Sequence, residues 1–110
     1  MKVVIWFACF VTVVVSSQLP GQTLVTPLGP FGGDVRSLAV HPEKPNLFFL
    51  GTSDGQIYVS ENSGGNWSKL IPGLNRRHVV VDNLAFDPSD PRTLYAATWE
   101  LNSARGWLFR

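Results

Sequence analysis

Short apolar runs alternate with short polar turns along most of this chain. From Val35 the runs are VRSLAV (35–40), LFFLGT (47–52), QIYVSE (56–61) and NWSKLI (66–71). They are separated by HPEKPN, SDG and NSGG. β-Branched and aromatic residues dominate the runs, and Gly, Pro, Asn and Asp bound them, which predicts four strands joined by tight turns. Helical periodicity is poor, and Pro42, Pro45, Pro72, Pro88 and Pro91 would interrupt any long helix. The expected class is all-β.

The pattern then repeats. VRSLAVHPEKPNLFFLGTS (35–53) matches VDNLAFDPSDPRTLYAATW (81–99) at an offset of 46 residues. Val35 falls on Val81, Leu38 on Leu84, Ala39 on Ala85, Pro42 on Pro88, Pro45 on Pro91 and Thr52 on Thr98. GQIYVS (55–60) then matches GWLFR (106–110) at an offset of 51, so the second copy holds five additional residues. A period of this length, with room for four short strands, is that of propeller blades. The expected organisation is one blade over residues 35–80 and a second, cut short, over 81–110. Residues 18–34 are expected to form a strand or linker that could serve as the outer strand of a closing blade.

The first run differs from all the others. MKVVIWFACFVTVVVSSQ has Lys2, then apolar residues 3–15 broken only by Thr12, then Ser16 and Ser17. It fits a secretory signal peptide over residues 1–17 and is shorter than the roughly 20 residues of a bilayer span. A retained membrane anchor is the alternative. The expected location is secreted or periplasmic, with membrane contact only through this segment. Cys9, the sole cysteine, lies inside it and has no intramolecular partner.

Charge adds only exclusions. The formal net charge is +1 and 15% of residues are charged, so no basic excess points to nucleic acid. His41 and His78 stand without ligand-spaced partners, so neither a metal nor another cofactor is expected.

SENSGGNW (60–67) carries the most specific pattern. It resembles the Asp-box, or BNR repeat, Ser/Thr-x-Asp-x-Gly-x-x-Trp. Ser60, Gly64 and Trp67 match, and Asn62 stands where the family has Asp. With its flanking strands it is similar to blades of sortilin-type, xyloglucanase-type and photosystem II assembly-factor propellers. The resemblance implies an Asp-box β-propeller of which about two blades are present. It also implies a structural role for the motif, as a hairpin clasp between the third and fourth strands. A side-chain oxygen at 62 would accept turn N–H groups, the glycines would permit positive φ, and Trp67 would bury a large surface.

Chemistry is sparse. Asp54 lies near the place where xyloglucanase-type hydrolases carry a catalytic aspartate, displaced by one residue and followed by one glycine rather than two. Asp54-Gly55 equally reads as a hairpin turn. Asp34 could face a central channel or cap a turn. Trp99 and Trp107 flank the inserted ELNSAR and could stack on sugars or pack between blades. Arg76-Arg77-His78 reads as a solvated inter-blade loop, and Asn66-Trp67-Ser68 is a glycosylation sequon. Two functions follow. One is a protein- or glycan-binding scaffold propeller of the sortilin-like class. The other is a xyloglucanase- or sialidase-like glycoside hydrolase whose carboxylate pair lies mostly outside these residues.

Overall fold

The computed structural model describes residues 25–30 and 32–110. The signal-peptide reading of 1–17, and the first part of the 18–34 segment, lie outside the described residues. Seven strands and no helix are present among them: β1 (Val35–Val40), β2 (Phe48–Thr52), β3 (Ile57–Ser60), β4 (Ser68–Lys69), β5 (Val79–Phe86), β6 (Leu94–Glu100) and β7 (Gly106–Phe109). They form two antiparallel sheets, β1-β2-β3-β4 and β5-β6-β7. The fold is all-β, and its sheets have the form of partial propeller blades.

The sequence repeat is also a repeat of register. In the first sheet Leu38 pairs with Leu50 and Val40 with Phe48. In the second, Leu84 pairs with Ala96 and Phe86 with Leu94, the same positions 46 residues on. A β-bulge interrupts the ladder between Val35 and Ser37, and another between Val81 and Asn83. After the five-residue insertion the third strands also agree. Ile57 pairs with Gly51 and Tyr58 with Leu50, as Leu108 pairs with Ala97 and Phe109 with Ala96.

The turns repeat in detail too. His41 N–H donates to Leu47 C=O and Leu47 N–H to Lys44 C=O, both at 2.9 Å. Asp87, Thr93 and Asp90 make the same two bonds at the same distance. Both turns need an acceptor at their first residue, because Pro42 and Pro88 follow and leave later N–H groups free. Asp87 Oδ1 accepts from Ser89 N–H at 2.8 Å and Asp90 N–H at 3.3 Å. His41 Nδ1 does the same work, accepting from Glu43 N–H at 3.1 Å and Lys44 N–H at 3.0 Å. His41 is therefore a turn acceptor, wedged edge-on against Phe86 with ring centroids 5.0 Å apart.

One face of the first sheet packs on one face of the second. Ala39 and Ile57 from the first sheet and Val81, Leu84 and Ala96 from the second form the buried core. Phe49 and Phe86 close its side in a T-shaped pair, with centroids 5.7 Å apart. The two sheets approach closely at Gly51. A Cβ there would lie 2.4 Å from both Val81 Cγ1 and Ser37 Oγ. Ser37 uses that approach to donate its hydroxyl to the Val81 carbonyl at 3.1 Å.

Two strand limits differ from the sequence expectation. The second sheet begins at Val79 rather than residue 81, because Val79 and Val80 are as buried as Val81 (1%, 1% and 0% exposed). Val79 fits beneath Gly55, where a Cβ would meet its Cγ2 at 2.9 Å. The fourth strand, expected over 66–71, is ordered as ladder only at Ser68–Lys69. Leu70 N–H adds one bond to Ile57 C=O at 2.8 Å. Pro72 then has no N–H to give, and Gly73 turns away with φ 66°.

Candidate functional site

Strand direction sorts the chemistry-bearing residues to two opposite ends. β1 and β5 both start at one end, and the β2–β3 and β6–β7 turns return there. This end carries Asp34, Asp54, the 75–78 loop, Asp82, Trp99 and Glu100. The other end carries the His41 and Asp87 turns and the 61–67 loop.

At the first end, Asp34 is exposed and ion-paired with Arg36, 3.0 Å from Asp34 Oδ2 to Arg36 Nη2. Both groups are about half exposed, so the pair contributes little to stability. The Asp34 carbonyl accepts Ser53 N–H at 3.0 Å, which holds Asp34 beside the turn bearing Asp54. Asp54 itself is exposed and accepts the Thr52 hydroxyl. Gln56 N–H donates to Thr52 Oγ1 at 3.1 Å. Gly55, with φ 78°, completes a tight hairpin turn. Asp54 thus already serves the turn that presents it.

In the second sheet Trp99 is 41% exposed, and its indole N–H points to Asp82 Oδ1 at 3.4 Å. Glu100, the repeat counterpart of Asp54, hands its N–H to Arg105 C=O at 2.9 Å. The five-residue insertion is tied down on its other side, where Leu101 N–H donates to His78 C=O at 2.8 Å. The basic loop is not merely solvated. The Arg76 guanidinium lies over the Trp107 ring, 4.4 Å from its centroid. A polar cleft of about 270 Å³ opens beside it, lined by Gln56, Asn75, Arg76 and Arg77 among others. Among the described residues no group of three or more His, Cys, Asp or Glu is placed to hold a metal.

At the opposite end the 60–67 loop is a closed hydrogen-bond unit. Ser60, 1% exposed, accepts Gly64 N–H at 2.8 Å and donates its hydroxyl to Asn62 Oδ1 at 3.0 Å. Asn62 Oδ1 also accepts Asn66 N–H at 2.8 Å. Gly64 has φ 88°, and a Cβ there would meet Leu28 Cβ at 3.0 Å. Trp67 is half-buried rather than fully covered, and its indole N–H donates to the Leu28 carbonyl. Ser63 anchors the loop to the neighbouring turn through Asn46, at 2.9 Å to its carbonyl and 3.0 Å to Oδ1.

Asp87, at this end, was not a sequence candidate. Its carboxyl accepts Ser89 Oγ at 2.7 Å, Ser89 N–H at 2.8 Å and Tyr95 Oη at 3.0 Å. The Ser89 hydroxyl, then the Ser89 amide and the Tyr95 hydroxyl, draw its pKa down to about 2. The same bond and the carboxylate's charge push Tyr95 up. Asp90 is lowered by the side chain and amide of Arg92. These groups build a turn. A cavity of about 560 Å³ lies between the sheets near this end. Phe49, Ile57, Phe86 and Phe109 line it, and it continues the apolar core.

The structure therefore brings Asp34 and Asp54 to neighbouring backbone positions and sets Trp99 at the same end of the second sheet. It keeps Ser60, Asn62, Gly64 and Trp67 at the other end. Asp82 and Glu100 are the residues that sequence reading missed. The offset of 46 could have found both, since it maps them onto Arg36 and Asp54.

The chain is similar to an oligoxyloglucan-reducing end-specific xyloglucanase of Emericella nidulans, 30% identical over 82 residues. The match covers 71% of this chain but only 10% of the relative, so the chain spans about a tenth of the length of the protein it matches. No family model matches the sequence. No solved structure matches it either.

Proposed function

We propose that the chain forms Asp-box blades of a secreted, glycoside hydrolase-like β-propeller that binds glycan at the Asp34–Trp99 end. One observation carries this reading. The similarity to a xyloglucanase covers 71% of the chain, and the exposed Trp99 stands beside Asp82 at one end of the second sheet. An exposed indole beside a carboxylate is suited to stacking on a sugar ring whose hydroxyls the carboxylate accepts. Isothermal titration of the full chain with xyloglucan oligosaccharides tests it. Binding that Trp99→Ala abolishes and Trp67→Phe leaves intact supports the reading. Absent binding, or binding indifferent to Trp99, overturns it.

Hydrolysis is the second reading, favoured by the name of the similar protein and by the carboxylates gathered at the same end. Glycoside hydrolysis uses two carboxyl groups across the scissile bond, and Asp54 is engaged by Thr52. Within this chain the binding role has the better support. Release of reducing ends from xyloglucan by the full chain, lost in Asp54→Asn, would replace the binding reading with the hydrolytic one.

A further inference from the structure

The polar cleft beside Arg76 has two walls. The turn between β2 and β3 contributes Gly55 and Gln56, and the loop before β5 contributes Asn75, Arg76 and Arg77. Gly55 lets the walls meet. A Cβ there would come within 3.0 Å of the Val79 carbonyl oxygen and 3.6 Å of the Arg76 carbonyl oxygen. The loop backbone is also fixed. Asn75 and His78 adopt left-handed φ values of 50° and 59°, and the His78 carbonyl accepts Leu101 N–H at 2.8 Å.

The charge of the cleft is one-sided. Arg76 and Arg77 line it, and no Asp or Glu does. All eight carboxylates of the chain lie among the described residues. The ion pairs there join Asp34 to Arg36 and Asp90 to Arg92, and neither includes Arg76 or Arg77. The net charge is only +1, so this concentration of cations is local. The Arg76 guanidinium is held over the Trp107 ring, 4.4 Å from its centroid. A ring-face contact restrains the group without supplying an oxygen acceptor for its donors. A donor restrained before the ligand arrives loses less rotamer freedom on binding.

We propose that this cleft binds the carboxylate of a small hydroxylated acid of the uronic acid class. The arginine forks match a carboxylate in bidentate fashion. Gln56 gives one amide hydrogen to the Asp54 carbonyl at 3.3 Å and keeps the other, with its oxygen, for a ligand hydroxyl. The Asn75 amide has the same two-way capacity. The cleft of about 270 Å³ falls just under the range of about 300–1,000 Å³ for drug-sized ligands, so it suits one sugar ring. Trp99 does not line it. The site is therefore independent of glycan binding at Trp99, which neutral xyloglucan oligosaccharides probe without a carboxylate.

Isothermal titration of the full chain in a buffer free of phosphate and sulfate tests the proposal, with glucuronate, glucose and sulfate as separate titrants. Glucuronate should bind, and severalfold more weakly when salt shortens the Debye length from about 10 Å to about 3 Å. Glucose should give no binding, and sulfate should bind severalfold more weakly than glucuronate. Arg77→Gln should weaken glucuronate binding about tenfold, the loss of a charge-assisted hydrogen bond. Lys69→Gln removes the same charge from the exposed strand β4 and should leave binding unchanged. No glucuronate binding, glucose or sulfate binding as tight as glucuronate, or equal losses in the two variants overturns the proposal. The three titrants are compared on the unsubstituted chain, so that comparison decides even where a variant fails to fold.

Discussion

Gly51→Ala should loosen the contact between the two sheets without touching any predicted site residue. The added Cβ would sit 2.4 Å from Val81 Cγ1, 2.8 Å from Val81 Cβ and 2.4 Å from Ser37 Oγ. None of these can swing away cheaply. Val81 is fully buried, and Ser37 is held by its bond to the Val81 carbonyl. Overpacking of a close-packed contact costs about 1–3 kcal/mol. Losing the Ser37 bond adds about 0.5–1.5 kcal/mol. The sum is about 1.5–4.5 kcal/mol, a large share of the stability of a small domain. Urea unfolding followed by tryptophan fluorescence reads this as a midpoint lowered by about 1–2 M, given a slope near 2 kcal/mol/M. Val81→Ala in the same chain should relieve part of the clash, so the double variant should lose less than the two singles added together. The repeat supplies the control. Ala97 occupies the counterpart position in the second sheet and is half-buried. Ala97→Gly should cost only the roughly 0.5–1 kcal/mol of a strand glycine. A Gly51→Ala midpoint within about 0.5 kcal/mol of the parent would refute the close approach of β5 to β2, since even mild overpacking exceeds that.

The other predictions concern single side chains. Asp87 is depressed in the folded state, so it stabilises the fold above its unfolded value of 3.8, and that contribution is lost as pH falls toward about 2. Asp87→Asn should flatten the fall in unfolding midpoint between those two values, and an unchanged pH profile would contradict the hydrogen-bond hub. Asn62→Asp should raise stability by about 0.5 kcal/mol, because a charged acceptor strengthens the bonds from Ser60 and Asn66. A lowered midpoint would mean that the loop does not use that oxygen. Arg76→Ala should remove the cation over Trp107, costing about 0.5–1 kcal/mol and changing the tryptophan emission of the folded chain. Identical emission and stability would place Arg76 in solvent.

Much of this architecture could be read from residue patterns. Strand order, the five-residue insertion and the pairing of Leu108 and Phe109 followed from aligning two stretches, because a period-2 ladder leaves no freedom once one register is fixed. Other features could not be read that way. Val79 and Val80 look like loop residues because their partners, Gly55 and the Glu100–Trp99 end of β6, lie far away in sequence. The shortening of the fourth strand depended on Pro72, whose effect is local but whose strand had to be located first. Arg76 and Trp107 are 31 positions apart in the chain, and nothing in their local patterns links them. The Asp34–Trp99 end was only half visible, since Asp34 and Trp99 stand out by type, while Asp82 and Glu100 are marked only by their repeat positions and by the geometry that gathers them.

Five more residues separate the paired Ala97 and Leu108 than separate the paired Gly51 and Ile57, yet Leu108 and Phe109 find the same rungs as Ile57 and Tyr58. Loop length is thereby uncoupled from sheet alignment. The ladder absorbs an insertion at its mouth without passing the disturbance inward, since Glu100 and Leu101 are clamped to Arg105 and His78 before the strand resumes. Such a joint works as a socket. Segments of different length and chemistry can be exchanged there while the scaffold beneath stays as it was, so one frame can present new surfaces at little risk to its own folding.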